Sequence, residues 1–479
     1  MSFYQPGRSL PQRFRLVLSS VLLEGGLPFS KILTEEEIDE VFDQEASRFA
    51  QEEDDIYTPS VTLWAFLSQV LHKGEQRSCL AAVSRVIVLL AALGREPCAN
   101  NSGAYCKARA KLSETVLMRL TTHVAIGCEK EVPPAWLWKG RHVKLVDGTT
   151  VSMPDTPENQ DEYPQQAAQQ EGLGFPVARI VVLMSLATAM LSGMAIGPYS
   201  GKETGEMALM RELIDQLDVG DILLADKYYC SYFMIALLAE RKLDFVSRLH
   251  PARKKDAYRI KRLRKNDWLI QWQRPARPEW MDQETYDRMP ESLTLRQVEV
   301  KVAEPGFRVE SFSVVTTLTD TGTYRQDDLA ELYRKRWLVE LDIRAIKCGL
   351  DMDVLRCKTP EMVRKEIWTS LLAYNLIRRA MLQAAIESGL SPRQLSFTNA
   401  LQTMAASWMV LPTLAQSEVA SMIAVQLASL ICPIVGHRPN RIEPRAVKRR
   451  PKPIQLLTMP RQAAREQLFA GVDPYEKRK

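Results

Sequence analysis

His142-Val143-Lys144-Leu145-Val146-Asp147-Gly148-Thr149 opens the part of the chain that decides the fold. An apolar, β-branched run stopping at an Asp-Gly pair reads as a strand, His142 to Val146, ending in a turn. Two further strands are read at Ile180 to Leu186 and Met190 to Ile196. A helix (Thr204 to Leu217), a strand (Asp221 to Ala225), a helix (Ser231 to Arg241) and a strand (Asp244 to Arg248) follow. Strands interleaved with helical patterns predict an α/β sheet, here of five strands. The alternation stops at Pro251. Residues 251–310 are basic, Trp-containing and broken by prolines, and read as an insertion before another β-run, Ser311 to Leu318. Upstream, apolar residues at helical spacing through Leu63 to Val70 and Leu80 to Leu93 make residues 1–130 a helical N-terminal domain. Downstream, helical patterns run from Gln326 to Gly349 and from Pro360 to Gly389. The division expected is 1–130, 131–375 and a helical C-terminal region, 376–479.

The 479 residues, 46% hydrophobic and 25% charged, suit two to four globular units and exclude a collagenous or wholly disordered chain. The net charge of +5 is small but uneven. From His437 to Lys479 twelve basic residues face four acidic ones, and from Arg253 to Arg277 ten face two. Together the two blocks make an elongated polyanion a plausible partner. The stretch HRPNRIEPRAVKRRPKP has too many prolines for a stable helix and reads as extended or disordered until it meets that partner. The eight cysteines show no metal-ligand spacing, and the five histidines do not cluster. The N-terminus lacks a secretory pattern, and the longest apolar stretch, Ile180 to Ile196, is shorter than the ~20 residues of a membrane helix. A cytoplasmic protein is expected.

Leu145 to Gly148 (LVDG) and Leu223 to Asp226 (LLAD) each place a carboxylate directly after an apolar run. Strand ends are where open α/β sheets build ligand sites. Two carboxylates brought close raise each other's pKa unless a cation neutralises them, and a divalent metal is the simplest one. The third element is Tyr333-Arg334-Lys335-Arg336-Trp337-Leu338-Val339-Glu340, continuing to Lys347. At about 100° per residue, Tyr333, Arg336, Glu340 and Lys347 fall within roughly a 60° sector of one helix. A carboxylate flanked by two cations on one face suits a site that holds metal and phosphate together. Asp155, Asp221 and Asp342 are nearby acids that miss either the strand end or the helix register.

The Y-x2-R-x3-E-x6-K spacing of Tyr333, Arg336, Glu340 and Lys347 resembles the signature of bacterial cut-and-paste transposases of the insertion-sequence-four family. The resemblance extends through VDGTTVSMPDT (from Val146), GLGFPVAR (from Gly172), SGKETGE (from Ser200), ILLADKYY (from Ile222), VTTLTD (from Val315), AYNLIRR (from Ala373) and RPNRIEPRAVKRRPKP (from Arg438). It covers most of residues 100–470.

The resemblance implies a ribonuclease-H-like catalytic core with a β-rich insertion between the second and third acids. It makes Asp147, Asp226 and Glu340 the catalytic, metal-binding DDE triad, using Mg²⁺ with Mn²⁺ as a substitute. It implies 3′-end nicking, hairpin formation and opening, and strand transfer on double-stranded DNA, both transposon ends and target. A homodimer in the synaptic complex and a nucleoid-associated location follow from it too. Tyr333, Arg336 and Lys347 are then expected at the terminal phosphates, with Arg248 on the DNA backbone. Relatives stack a flipped base on a Trp in the strand before the third acid; here that strand offers Phe312, with Trp280 and Trp337 as rivals, the latter read as core. The N-terminal domain is the expected reader of the terminal inverted repeats. Alternatives are a domesticated Mg²⁺ nuclease and a non-catalytic DNA-binding regulator.

Overall fold

β1 (Val143–Ser152), β2 (Val177–Ser185) and β3 (Leu191–Pro198) form an antiparallel meander, and β4 (Ile222–Ala225) and β5 (Asp244–Arg248) add to it in parallel with β1. The computed structural model describes residue 49 and residues 55–253, 258–301, 311–432 and 456–472. The strand order β3-β2-β1-β4-β5 contains the five strands expected from the sequence. Helices Glu206–Leu213 and Tyr232–Glu240 make the crossovers into β4 and β5. Because side chains alternate across a strand, Leu145, Ile180, Val182, Ile222, Leu224 and Val246 join one core. Val146, Val181, Leu183, Leu223, Ala225 and Phe245 join the other. Both faces being covered explains why these strands read as continuous apolar runs.

The insertion is not a separate layer. β6 (Arg259–Arg264), β7 (Asp267–Gln273) and β8 (Ser292–Lys301) continue the same sheet through β9 (Ser311–Thr316), giving nine strands in the order β3-β2-β1-β4-β5-β9-β8-β7-β6. β9 runs antiparallel to β5, so the insertion leaves the core and returns to it along a shared edge. Arg296 on β8 pairs with Asp267 on β7 at 2.7 Å with both side chains fully buried, and its other branch donates to the Tyr324 carbonyl at 2.6 Å.

Four α-helices stand between residues 59 and 130, Pro59–Val70, Cys79–Ala92, Gly103–Lys111 and Glu114–Lys130, while most of the expected N-terminal domain before them, residues 1–48 and 50–54, lies outside the described residues. The apolar faces of these helices share the first core with the sheet and with the long helix Pro360–Ser388. Gly389 ends that helix at φ +69°, the left-handed cap that glycine adopts without strain. Asn375 braces three elements: its amide nitrogen donates to the carbonyls of Thr121 and Leu191, and its oxygen accepts from Leu191 N, each at 2.9 Å. Tyr374 donates to the Ala189 carbonyl at 2.7 Å. The AYNLIRR stretch thus locks the long helix against β3. Of the C-terminal block, helix Arg461–Phe469 is formed, while the proline-rich stretch His437 to Pro453 lies outside the described residues. Among the described residues no helix is long and apolar enough to cross a membrane.

Glu129 ties helix Glu114–Lys130 to the start of β1. Lys144 Nζ lies 3.1 Å from its carboxylate, and Thr188 donates to it at 3.0 Å. His142 Nδ1 stands 2.8 Å away, close enough for an ion pair though off the angle of a hydrogen bond. Burial pushes the Glu129 carboxyl up, but the Lys144 charge and the His142 ring outweigh it and hold it at about 2. The Glu129 carboxylate raises His142 against the effect of burial. Glu129 titrates below its usual 4.5, so its stabilisation, on the order of 3 kcal/mol, is complete above 4.5 and is lost as pH falls towards 2. The His142 share is complete below its usual 6.5 and is lost as pH rises through the raised value. In urea unfolding, the gap between wild type and Glu129→Gln is therefore expected to be widest between these two limits and to shrink on the acid side.

Candidate active site

β1 does not stop at Val146. It runs on through Asp147 to Ser152, because β2 keeps pairing with it from Asp147↔Val182 to Ser152↔Val177. The strand end predicted from the sequence exists on one side only: the parallel ladder with β4 ends at Leu145↔Leu224. Continuing that register by two residues sets Asp147 level with Asp226, the residue that follows β4. The two acids therefore share one end of the parallel pair, although only Asp226 terminates its strand.

The helical pattern from Gln326 to Gly349 is present but is not uniformly α. It comprises an α-helix (Gln326–Arg334), a 3₁₀ turn (Lys335–Trp337), a second α-helix (Leu338–Arg344) and a π turn (Ala345–Gly349). A 3₁₀ turn winds about 120° per residue and a π turn less than an α-helix, so the regular sector predicted from the sequence is only approximate. Arg336 sits in the 3₁₀ turn and Lys347 in the π turn. Arg336 Nη2 donates to Glu340 at 2.6 Å, and its Nη1 lies 3.8 Å from Asp147 Oδ2. One guanidinium thus joins the first and third acids. Lys347 Nζ donates to the Thr150 carbonyl of β1 at 2.7 Å, pinning the end of the segment beside the same strand.

Burial pushes the Asp147 carboxyl up to about 6, and the charges of Glu206 and Glu340 add to the rise, against the Gly148 N–H bond (2.9 Å) and Arg336. Burial is the main cause of this rise, and a buried carboxylate with two others near it is one whose charge a bound cation would stabilise. The donors are hard oxygens of the kind Mg²⁺ takes. Among the described residues no three His, Cys, Asp or Glu side chains are gathered closely enough to hold an ion as they stand. The acids are spaced around Arg336.

Tyr333, Phe312 and Arg248 also come together. The Tyr333 and Phe312 rings are 5.1 Å apart, and the Arg248 guanidinium lies over Phe312 at 5.7 Å. Tyr333 is buried, which raises its phenol pKa; Asp226 raises it further while Arg336 and Arg248 oppose. Of the rival aromatics, Trp280 packs away from this group, under Arg211 (3.9 Å) and against Phe233 (6.1 Å). Trp337 is not core: it is 54% exposed, because the 3₁₀ turn directs it outward next to Arg336. Asp342, two residues after Glu340, is buried and bound by Arg378 and Arg393, each at 3.0 Å. Glu206, from the SGKETGE stretch, was not singled out in the sequence; it lies against Gly148 and accepts from Tyr229 at 3.3 Å.

The family model described as "Transposase DDE domain" matches residues 138–376, a span containing Asp147, Asp226 and Glu340. The chain is 29% identical over 398 residues to the transposase InsG of insertion sequence element IS4 from Escherichia coli (strain K12), covering 81% of this chain and 85% of that protein. A segment of 54 residues is 41% identical to the putative transposase InsL of IS186A from the same organism, 11% of this chain and 15% of that one. Among solved structures, the piggyBac transposase synaptic complex with hairpin DNA aligns at a TM-score of 0.43 and 10% identity, over 88% of this chain and 86% of that one. The sequence signature, the family model and the extended similarity to the IS4 transposase agree: the chain belongs to the insertion-sequence-four family of DDE transposases.

Proposed function

We propose that this transposase excises and reinserts an insertion sequence by a cut-and-paste route at one active site formed by Asp147, Asp226 and Glu340. The observation that carries the reading is the Arg336 guanidinium joining Asp147 and Glu340, acids far apart in sequence, beside the strand end that bears Asp226. The order β3-β2-β1-β4-β5, with β1 to β3 antiparallel and β4 and β5 parallel to β1, supports a ribonuclease-H-like core. The three carboxylates would hold Mg²⁺ or Mn²⁺, which when bound supplies Lewis-acid stabilisation of the attacking and leaving oxygens of an in-line phosphoryl displacement. Arg336 is placed to grip a phosphate oxygen between the first and third acids. Lys347 fixes the helical segment to β1 and adds positive charge on the same side.

Nicking the element's end, hairpin formation and opening, and strand transfer are then successive displacements at this site, with water or a DNA 3′-hydroxyl as the attacking group. Phe312, framed by Tyr333 and Arg248, offers an aromatic face for a displaced base. Trp337, exposed beside Arg336, offers a second. The basic β6 strand and the C-terminal block are assigned to the DNA backbone, the N-terminal region to the inverted repeats, and the working unit to a homodimer on the nucleoid. The test is full-length protein with Mg²⁺ and labelled linear DNA bearing both element ends. Nicked and then hairpin-ended products are expected. Binding of the ends without any strand breakage under the same conditions would overturn the reading.

A further inference from the structure

Glu206 is the first residue of helix Glu206–Leu213, the crossover from β3 to β4. That helix covers the sheet face to which Val146 points, whereas Leu145 points to the face covered by the helix bearing Glu340. By strand alternation Gly148 belongs to the Glu206 face and Asp147 to the Glu340 face. A β-carbon at Gly148 would lie 2.3 Å from Glu206 Cδ and 2.4 Å from its Oε1. The missing side chain therefore leaves the space in which the Glu206 carboxylate lies against β1, at the residue that follows Asp147.

The carboxylate is also held in place. Tyr229, fully buried, donates to Glu206 Oε2 at 3.3 Å. Tyr229 closes the 3₁₀ turn that follows Asp226 directly, so the backbone that sets the second acid also sets this donor. Burial first, then the Glu206 charge, pushes the phenol up, so it stays protonated and donating. A carboxylate at a helix start already gains from the helix dipole, but that gain needs neither the glycine opposite nor the tyrosine.

We propose that Glu206 is a fourth carboxylate of the divalent-cation site, reaching it past Gly148 from the opposite face of the sheet, with Tyr229 as its positioning residue. This rests on the reading of Asp147, Asp226 and Glu340 as the metal-binding acids.

The experiment is Mn²⁺ titration of the full-length protein without DNA, with free Mn²⁺ followed by electron paramagnetic resonance. Glu206→Gln is expected to weaken Mn²⁺ binding about tenfold or more, and Tyr229→Phe to weaken it in the same direction by less. Gly148→Ala is expected to resemble Glu206→Gln, because the added methyl displaces the carboxylate. Glu203→Gln, which alters an exposed neighbour paired with Arg211, should bind as wild type. Wild-type affinity in Glu206→Gln, with affinity lost in Asp147→Asn, would overturn the proposal and leave the triad standing. Wild-type affinity in both would remove the triad reading and the proposal with it. Should Glu206→Gln fail to fold, Tyr229→Phe, which removes only a hydroxyl from the core, decides the matter, and unchanged Mn²⁺ affinity there overturns the proposal.

Discussion

Glu340→Gln is expected to lower strand cleavage by at least ~10³-fold while leaving the fold and the binding of DNA ends intact. Glutamine keeps the shape of the side chain and removes the charge that Arg336 pairs with and that a bound cation would use. The structural loss is small: the Arg336–Glu340 contact is an i,i+4 pair on a partly exposed helix face, worth about 0.3–0.5 kcal/mol in such settings. Activity and stability therefore separate, which is the mark of a chemical role. Labelled DNA carrying both element ends, incubated with Mg²⁺ and either protein, checks it, with urea unfolding as the control. Equal cleavage by the two proteins would mean that the site lies elsewhere.

Asp342→Ala, two residues further along the same helix, should have the opposite profile and destabilise the protein by about 3–5 kcal/mol. Asp342 is buried between Arg378 of the long helix and Arg393 of the following 3₁₀ turn. Arg393 also donates to the carbonyls of Ser185 (2.9 Å) and Leu186 (2.7 Å) where β2 ends. Removing the carboxylate leaves two guanidinium groups facing each other with little solvent, an uncompensated charge pair that costs more than a lost surface contact. The urea midpoint should fall sharply. An unfolding free energy within about 0.5 kcal/mol of wild type would show that the cluster relaxes into water and that the helix bearing Glu340 is anchored by apolar packing alone.

Much of this was legible in the chain. Runs such as Ile180 to Leu186 and Asp244 to Arg248 declare their period locally, and the observed strands fall within a few residues of them. Glu340 and Asp342 could also be told apart, since only Glu340 keeps register with Tyr333 and Arg336. Trp337 could not be read: followed by a leucine and a valine it resembles core, and only the tightened turn at Lys335–Trp337 turns it outward. The extent of β1 past Asp147 was hidden as well, because it depends on which neighbour continues to pair. The same holds for the insertion, whose strands extend the central sheet through β9 rather than closing on themselves.

By itself the sequence determined the alternating elements, the two acids that follow apolar runs, and the spacing that puts Arg336, Glu340 and Lys347 on one segment. Those properties live in stretches of a few residues, where periodicity and turn chemistry act. Only the tertiary structure decided that Asp147 and Asp226 stand level across two parallel strands, that Arg336 joins the first and third acids, and that Gly148 admits Glu206 from the other face of the sheet. These are meetings between segments distant in the chain. Strand register and packing set them, and no local pattern encodes which distant side chain will fill the space a glycine leaves.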